Sequence, residues 1–160
     1  MHLRLTLLAC AFVAAAAVPA FASPARPVAF TLYSANVNDK DIPMLIRATG
    51  AVHAIGSATS NDDAKGSTVP LVFTFPKGKV FATAQVHFNW VPDLHTCTAT
   101  RHGTGRFTVT HGTGIYSGIT GTGRYVETGA AIGVRAPNGG CKQQFKLNYV
   151  IAQLHGTATL

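Results

Sequence analysis

From Lys79 to Trp90 the residues alternate in character. Val80, Ala82, Ala84, Val86, Phe88 and Trp90 share one face, while Lys79, Thr83, Gln85, His87 and Asn89 share the other, with Phe81 the exception. Successive side chains of an extended chain point to opposite faces, so this period of two specifies a half-buried β-strand. No segment longer than a few residues carries the i, i+3, i+4 spacing of an amphipathic helix. The stretch Ile46 to Ala58 reads as another strand, with Ile46, Ala48, Val52, Ala54 and Ala58 inward and Arg47, Thr49, His53 and Ser57 opposite. Val69, Leu71, Phe73 and Phe75 mark a third, and Pro76-Lys77-Gly78 is the turn that joins it to the strand from Lys79. Turns are also expected at Asn61-Asp62-Asp63 and Pro137-Asn138-Gly139-Gly140. With Val28 to Val37, a long strand from Phe145 toward the C-terminus and two strands in a Gly-rich region, the count reaches seven or eight. An all-β chain of this size points to a single closed or nearly closed antiparallel barrel.

The N-terminus is of another kind. A short basic segment ending at Arg4 precedes an apolar run from Leu5 to Val18, relieved only by Thr6. Pro19 then breaks the run, and Ala20-Phe21-Ala22 supplies the small residues that a signal peptidase reads. Residues 1–22 are therefore read as a secretory signal peptide and 23–160 as one domain. The apolar run is shorter than the ~20 residues a helix needs to cross a membrane, so no membrane span is expected. Export puts the mature domain in the periplasm or outside the cell.

Two cysteines, Cys97 and Cys141, follow the leader. In an exported chain such a pair reads as a disulfide. A metal-binding or catalytic thiol is the alternative, but neither cysteine has a neighbouring ligand at metal spacing. The full chain has 13 basic against 6 acidic residues. Such a domain attracts anionic envelope polymers non-specifically. Its charges are scattered, without a run of Lys or Arg, which reads as a solvated surface before a dedicated polyanion site.

One pattern repeats. His102-Gly103-Thr104-Gly105-Arg106-Phe107 returns as His111-Gly112-Thr113-Gly114-Ile115-Tyr116 and again as Thr120-Gly121-Thr122-Gly123-Arg124-Tyr125, nine residues apart each time. Nonapeptide repeats can build calcium-binding solenoids. Calcium requires oxygen ligands, chiefly carboxylates, and Glu127 is the region's one acid, outside the repeated core. The favoured reading is a hairpin of two long strands, about Thr96 to Thr110 and Thr120 to Val134, joined through His111 to Ile119. Glycines inside those strands permit the sharp coiling of a small barrel.

The stretch Thr110 to Tyr125, with its Gly-Thr-Gly-x-aromatic-x-Gly-x-Thr-Gly-x-Gly element, resembles allene oxide cyclase-like and dirigent-like barrel proteins. Phe73-Thr74-Phe75-Pro76-Lys77-Gly78, Cys97 and Gly140-Cys141 are similar to features of the bacterial secreted members. The resemblance runs over roughly residues 45 to 160. It implies an eight-stranded antiparallel barrel with a partly apolar interior able to hold one small ligand. Plant members cyclise an unstable fatty-acid epoxide or steer the coupling of phenoxy radicals. None of the plant catalytic residues has a match in this chain.

Five of the six acids lie in or beside expected turns, which leaves no carboxylate pair for acid–base work. Glu127 shares a strand face with Tyr125 and is the one catalytic candidate. Facing the interior, it would have a raised pKa and could serve as general acid or base. Facing solvent near a strand end, it would pair with a basic residue on a neighbouring strand; this second arrangement is preferred, although the opposite phase of Val126, Ile132 and Val134 leaves the faces ambiguous. His87, Asp93 and His95 are close in sequence but divided between a polar strand face and a Pro-containing loop, so no metal site is expected. No cofactor motif and no Gly-x-Ser-x-Gly element occur. Arg106-Phe107 and Arg124-Tyr125 put each arginine and its aromatic on opposite faces, so no specific nucleic-acid partner is expected. The expectation is an exported barrel that binds a small apolar ligand or an envelope component. The alternative is a cyclase or isomerase that holds a reactive apolar substrate near Glu127. Neither the ligand nor the oligomeric state is written in the residues.

Overall fold

The computed structural model describes residues 23–35, 44–60 and 68–160. The expected leader, the end of the first expected strand at Val37 and the Asn61-Asp62-Asp63 turn lie outside them. The described residues form β1 (Arg26–Ala35), β2 (Met44–Gly50), β3 (Ala54–Ser60), β4 (Thr68–Phe75), β5 (Gly78–Asp93), β6 (Thr98–Gly112), β7 (Thr120–Arg135) and β8 (Cys141–Thr159). Each strand pairs with the next, and β8 returns to pair antiparallel with β1 from Arg26↔Ala158 to Ala35↔Tyr149. The sheet is thus a closed eight-stranded antiparallel barrel. Closure leaves no unpaired edge to template aggregation.

Several boundaries depart from the sequence reading. The segment Ile46 to Ala58 is two strands, not one, because the chain turns between Gly50 and Ala54. Gly50 sits at φ 87°, and a side chain there would come within 2.1 Å of the Pro27 carbonyl oxygen, which accepts a hydrogen bond from the Ala51 amide at 2.8 Å. The turn keeps the phase of the alternation, so Ile46, Ala48, Val52 and Ala58 are all buried and the pattern shows no break. β6 starts at Thr98 instead of Thr96, because Asp93 holds the amides of His95 and Thr96 in a turn. β8 starts at Cys141, earlier than the expected Phe145.

The Gly-rich repeat is the expected hairpin: β6 and β7 pair from Thr98↔Ile132 to Val109↔Gly121. Its glycines make room inside the barrel. Gly123 is the register partner of Phe107, and a Cβ on it would lie 2.4 Å from the Phe107 ring. The space it leaves lets Phe107 pack edge-on against Phe30 at 6.2 Å, and Phe73 packs against Phe30 at 4.9 Å. The β6–β7 connection carries a 3-10 turn at Gly114–Tyr116, and both Tyr116 and Ile119 are buried. Tyr116 packs against Phe75 at 5.6 Å, so this connection stoppers one end of the barrel.

Apolar side chains fill the inside, while Arg47, Thr104, Arg106, Thr108, Thr122 and Arg124 face outward. A barrel that spans a bilayer shows the inverse arrangement. Among the described residues no helix is long and apolar enough to cross a membrane. Cys97 and Cys141 form the expected disulfide, which ties the start of β6 to the start of β8 at the end opposite the stopper.

Candidate functional site

At that opposite end the barrel holds a cavity of about 40 Å³, lined by Leu32, Ser34, Leu71, Phe88, Tyr125 and Glu127 among others. The space takes a water or two but not a drug-sized molecule. Below the mouth the aromatic side chains of Phe30, Phe73 and Phe107 occupy the lumen.

Glu127 faces this cavity and not solvent, with 5% of its surface exposed. The opposite phase of Val126 does not disturb it, since Val126 is an exposed apolar residue on the outer wall. Tyr125 stands two residues earlier on the same inward face and donates its phenolic hydrogen to Glu127 Oε2. The sequence-derived pair is thus brought together. Glu127 Oε1 lies 2.7 Å from Arg101 Nε. That N–H is not aimed along the line between the two atoms, so the contact is an ion pair and not an aligned hydrogen bond.

Arg101 was missing from the sequence reading, although a signal for it exists. It keeps phase with Cys97, Ala99, Phe107 and Val109, all buried, and so is a cation on the inward face of its strand. Its guanidinium lies over the Phe88 ring at 3.8 Å and reaches the Trp90 ring at 5.6 Å. Cation–π contacts of this kind favour a partly desolvated guanidinium. Ser34 was missed too. It follows Val28, Phe30 and Leu32 in the inward phase of β1, lines the cavity, and its hydroxyl has no hydrogen-bond partner among the described residues.

The arrangement depends on Gly103. It is the register partner of Glu127, and a Cβ there would approach the Phe88 ring to 2.8 Å and Glu127 Cβ to 3.2 Å. Without a side chain at this position, Arg101, Phe88 and Glu127 converge.

The other histidines and acids stay apart. His87 is exposed on the outer wall of β5, while Asp93 is engaged with the turn that follows it. Among the described residues no three His, Cys, Asp or Glu side chains are grouped as metal ligands would be.

Chemically, the site offers an anionic oxygen pair, a cation and an unengaged hydroxyl above apolar walls. Both Glu127 oxygens already have partners, so a substrate proton would have to displace Tyr125 or Arg101 to reach the carboxylate. Compared with known proteins, the chain matches no family model, no curated protein and no solved structure at a significant level.

Proposed function

We propose that this chain is an exported binding protein built on an allene oxide cyclase-like or dirigent-like barrel. Its ligand is a small molecule with an apolar body and a polar head. The head meets Arg101, Glu127 and Ser34 in the mouth, and the body lies against Leu32, Leu71 and Phe88, side chains that must part to admit more than the water or two the space takes. The observation that carries this reading is the ion pair of Arg101 and Glu127 inside a barrel whose buried residues are, among those described, apolar apart from these, Ser34 and the Tyr125 hydroxyl. Replacing a buried pair by well-packed apolar residues is often neutral or stabilising, so stability alone does not require one. Export is supported by the leader-like sequence of 1–22 and by the disulfide.

Trp90, the chain's one tryptophan, supplies the assay, because its ring neighbours Arg101. Short-chain carboxylic acids, alcohols and simple phenols are titrated while its fluorescence is followed in the wild type and in Glu127→Gln. A saturable change that weakens about tenfold or more in the variant supports the binding reading. Equal titration curves from two folded proteins would sink it.

A second reading, catalysis of the cyclase or isomerase type, is favoured by the Tyr125–Glu127 contact. A phenol and a carboxylate so joined can pass a proton. In that case Glu127→Gln would abolish turnover of a reactive apolar substrate while binding persisted.

A further inference from the structure

The outer wall of β6, β7 and β8 carries an arrangement that the fold does not require. Arg106 and Arg124 are direct partners across β6 and β7, and Arg124 is the direct partner of His155 on β8. Like charges placed opposite each other weaken a sheet. All three side chains are exposed. Among the described residues the acids are Asp93, committed to its turn, and Glu127, paired with Arg101 inside the barrel. Neither outer arginine has a carboxylate beside it there.

Beside this row lies a second, formed by Thr108, Thr122 and Thr157 in the same register, and then the pair Thr120 and Thr159. Arg106, Thr108, Thr122 and Arg124 border a surface groove that Phe107 and Gly123 also line.

We infer that this face binds an acidic polysaccharide, with its carboxylates between Arg106 and Arg124 and its hydroxyls against the threonine rows. The planar guanidinium matches a carboxylate with two parallel hydrogen bonds. Neighbouring strands are about 4.8 Å apart, so the row offers closely spaced polar positions to a polymer charged on every sugar. Threonine hydroxyls both donate and accept, as sugar hydroxyls do. A single-stranded nucleic acid would need aromatic platforms among the cations. The aromatics that adjoin these arginines in sequence, Phe107 and Tyr125, are instead buried inside the barrel.

The test is affinity electrophoresis of the whole mature protein through gels containing polygalacturonate, with neutral dextran, poly(dT) and phosphatidylglycerol vesicles as competitors. The variant is Arg106→Gln with Arg124→Gln. A control of equal charge, Arg47→Gln with Lys77→Gln, alters exposed residues elsewhere. Retention by polygalacturonate is expected to weaken about tenfold or more in the variant and by less than about threefold in the control, with melting temperatures unchanged. Equal loss in both variants would reduce the effect to net charge and overturn the inference. So would poly(dT) or vesicles competing as well as free polygalacturonate, or a wild type that is not retained.

Discussion

Arg101 and Glu127 are diagonal neighbours, not direct partners, across β6 and β7: Gly103 stands opposite Glu127 and Arg101 opposite Gly129, yet their charged atoms meet at 2.7 Å. Diagonal pairs are within reach of long side chains, provided nothing intervenes. Here the intervening position is a glycine. Sequence, register and site chemistry are joined at this one residue.

Gly103→Ala is expected to destabilise the protein by about 1–3 kcal/mol, the cost of forcing a methyl group into a packed core. The new Cβ would sit 2.8 Å from the Phe88 ring, so the ring and the guanidinium above it must move. Gly140→Ala is the comparison, since its nearest contact is Asn138 Oδ1 at 3.3 Å, and it should change stability by less than about 0.5 kcal/mol. Urea denaturation of both variants reads the difference.

The ion pair should appear in a double-mutant cycle. Removing one member leaves the other buried without its counter-charge, a loss of about 3–5 kcal/mol for a fully buried pair. Arg101 keeps 16% of its side chain exposed, so a lower figure of about 1–3 kcal/mol is expected for Glu127→Gln. Arg101→Met combined with Glu127→Gln should cost less than the two single changes added together. Strict additivity in the denaturation midpoints would mean that the contact is not formed in solution.

How much of this could be read from the residues differs between wall and site. The wall is legible because burial acts on every second residue, and Val80, Ala82, Ala84 and Val86 are buried as their phase requires. The β2–β3 turn was not, because it preserves that phase across Gly50. The site was half legible. Tyr125 and Glu127 share a face by alternation, but whether that face is inside depends on packing around Gly103 and Phe88, which no local pattern encodes. Arg101 and Ser34 were visible only as polar residues on apolar faces, a departure that gains meaning once the faces are known to converge.

The disulfide closes a loop with a sequence separation of 44 between strands already held by pairing. Its loss should lower stability by roughly 4 kcal/mol in the chain-entropy model. Thermal melts of the oxidised protein and of Cys97→Ala with Cys141→Ala measure this, and the variant should keep its β-sheet circular dichroism.

Asp93 gives an acid-side prediction. Its carboxyl is held below the ordinary range, first by the Thr96 hydroxyl at 2.7 Å and then by the amides of His95 and Thr96. A group depressed on folding contributes stability above its unfolded value, about 3.9 for Asp, and loses it as pH falls through the lower folded value. Asp93→Ala should therefore melt below the wild type at neutral pH, and the gap should narrow below about pH 4. A gap that stayed constant to about pH 2 would show that the turn does not depend on the charge.

The mouth beside Arg101 and Glu127 is proposed to hold a small molecule. The direct measurement is organic extraction and mass spectrometry of the protein purified from its native source. The expected result is one small molecule in stoichiometric amount, with a polar head and an apolar body too short to enter the aromatic-filled lumen. It should be depleted from Glu127→Gln prepared in the same way. An extract with no bound molecule, together with Trp90 fluorescence unmoved by any acid, alcohol or phenol tried, would contradict the claim and leave a filled barrel that acts through its outer wall.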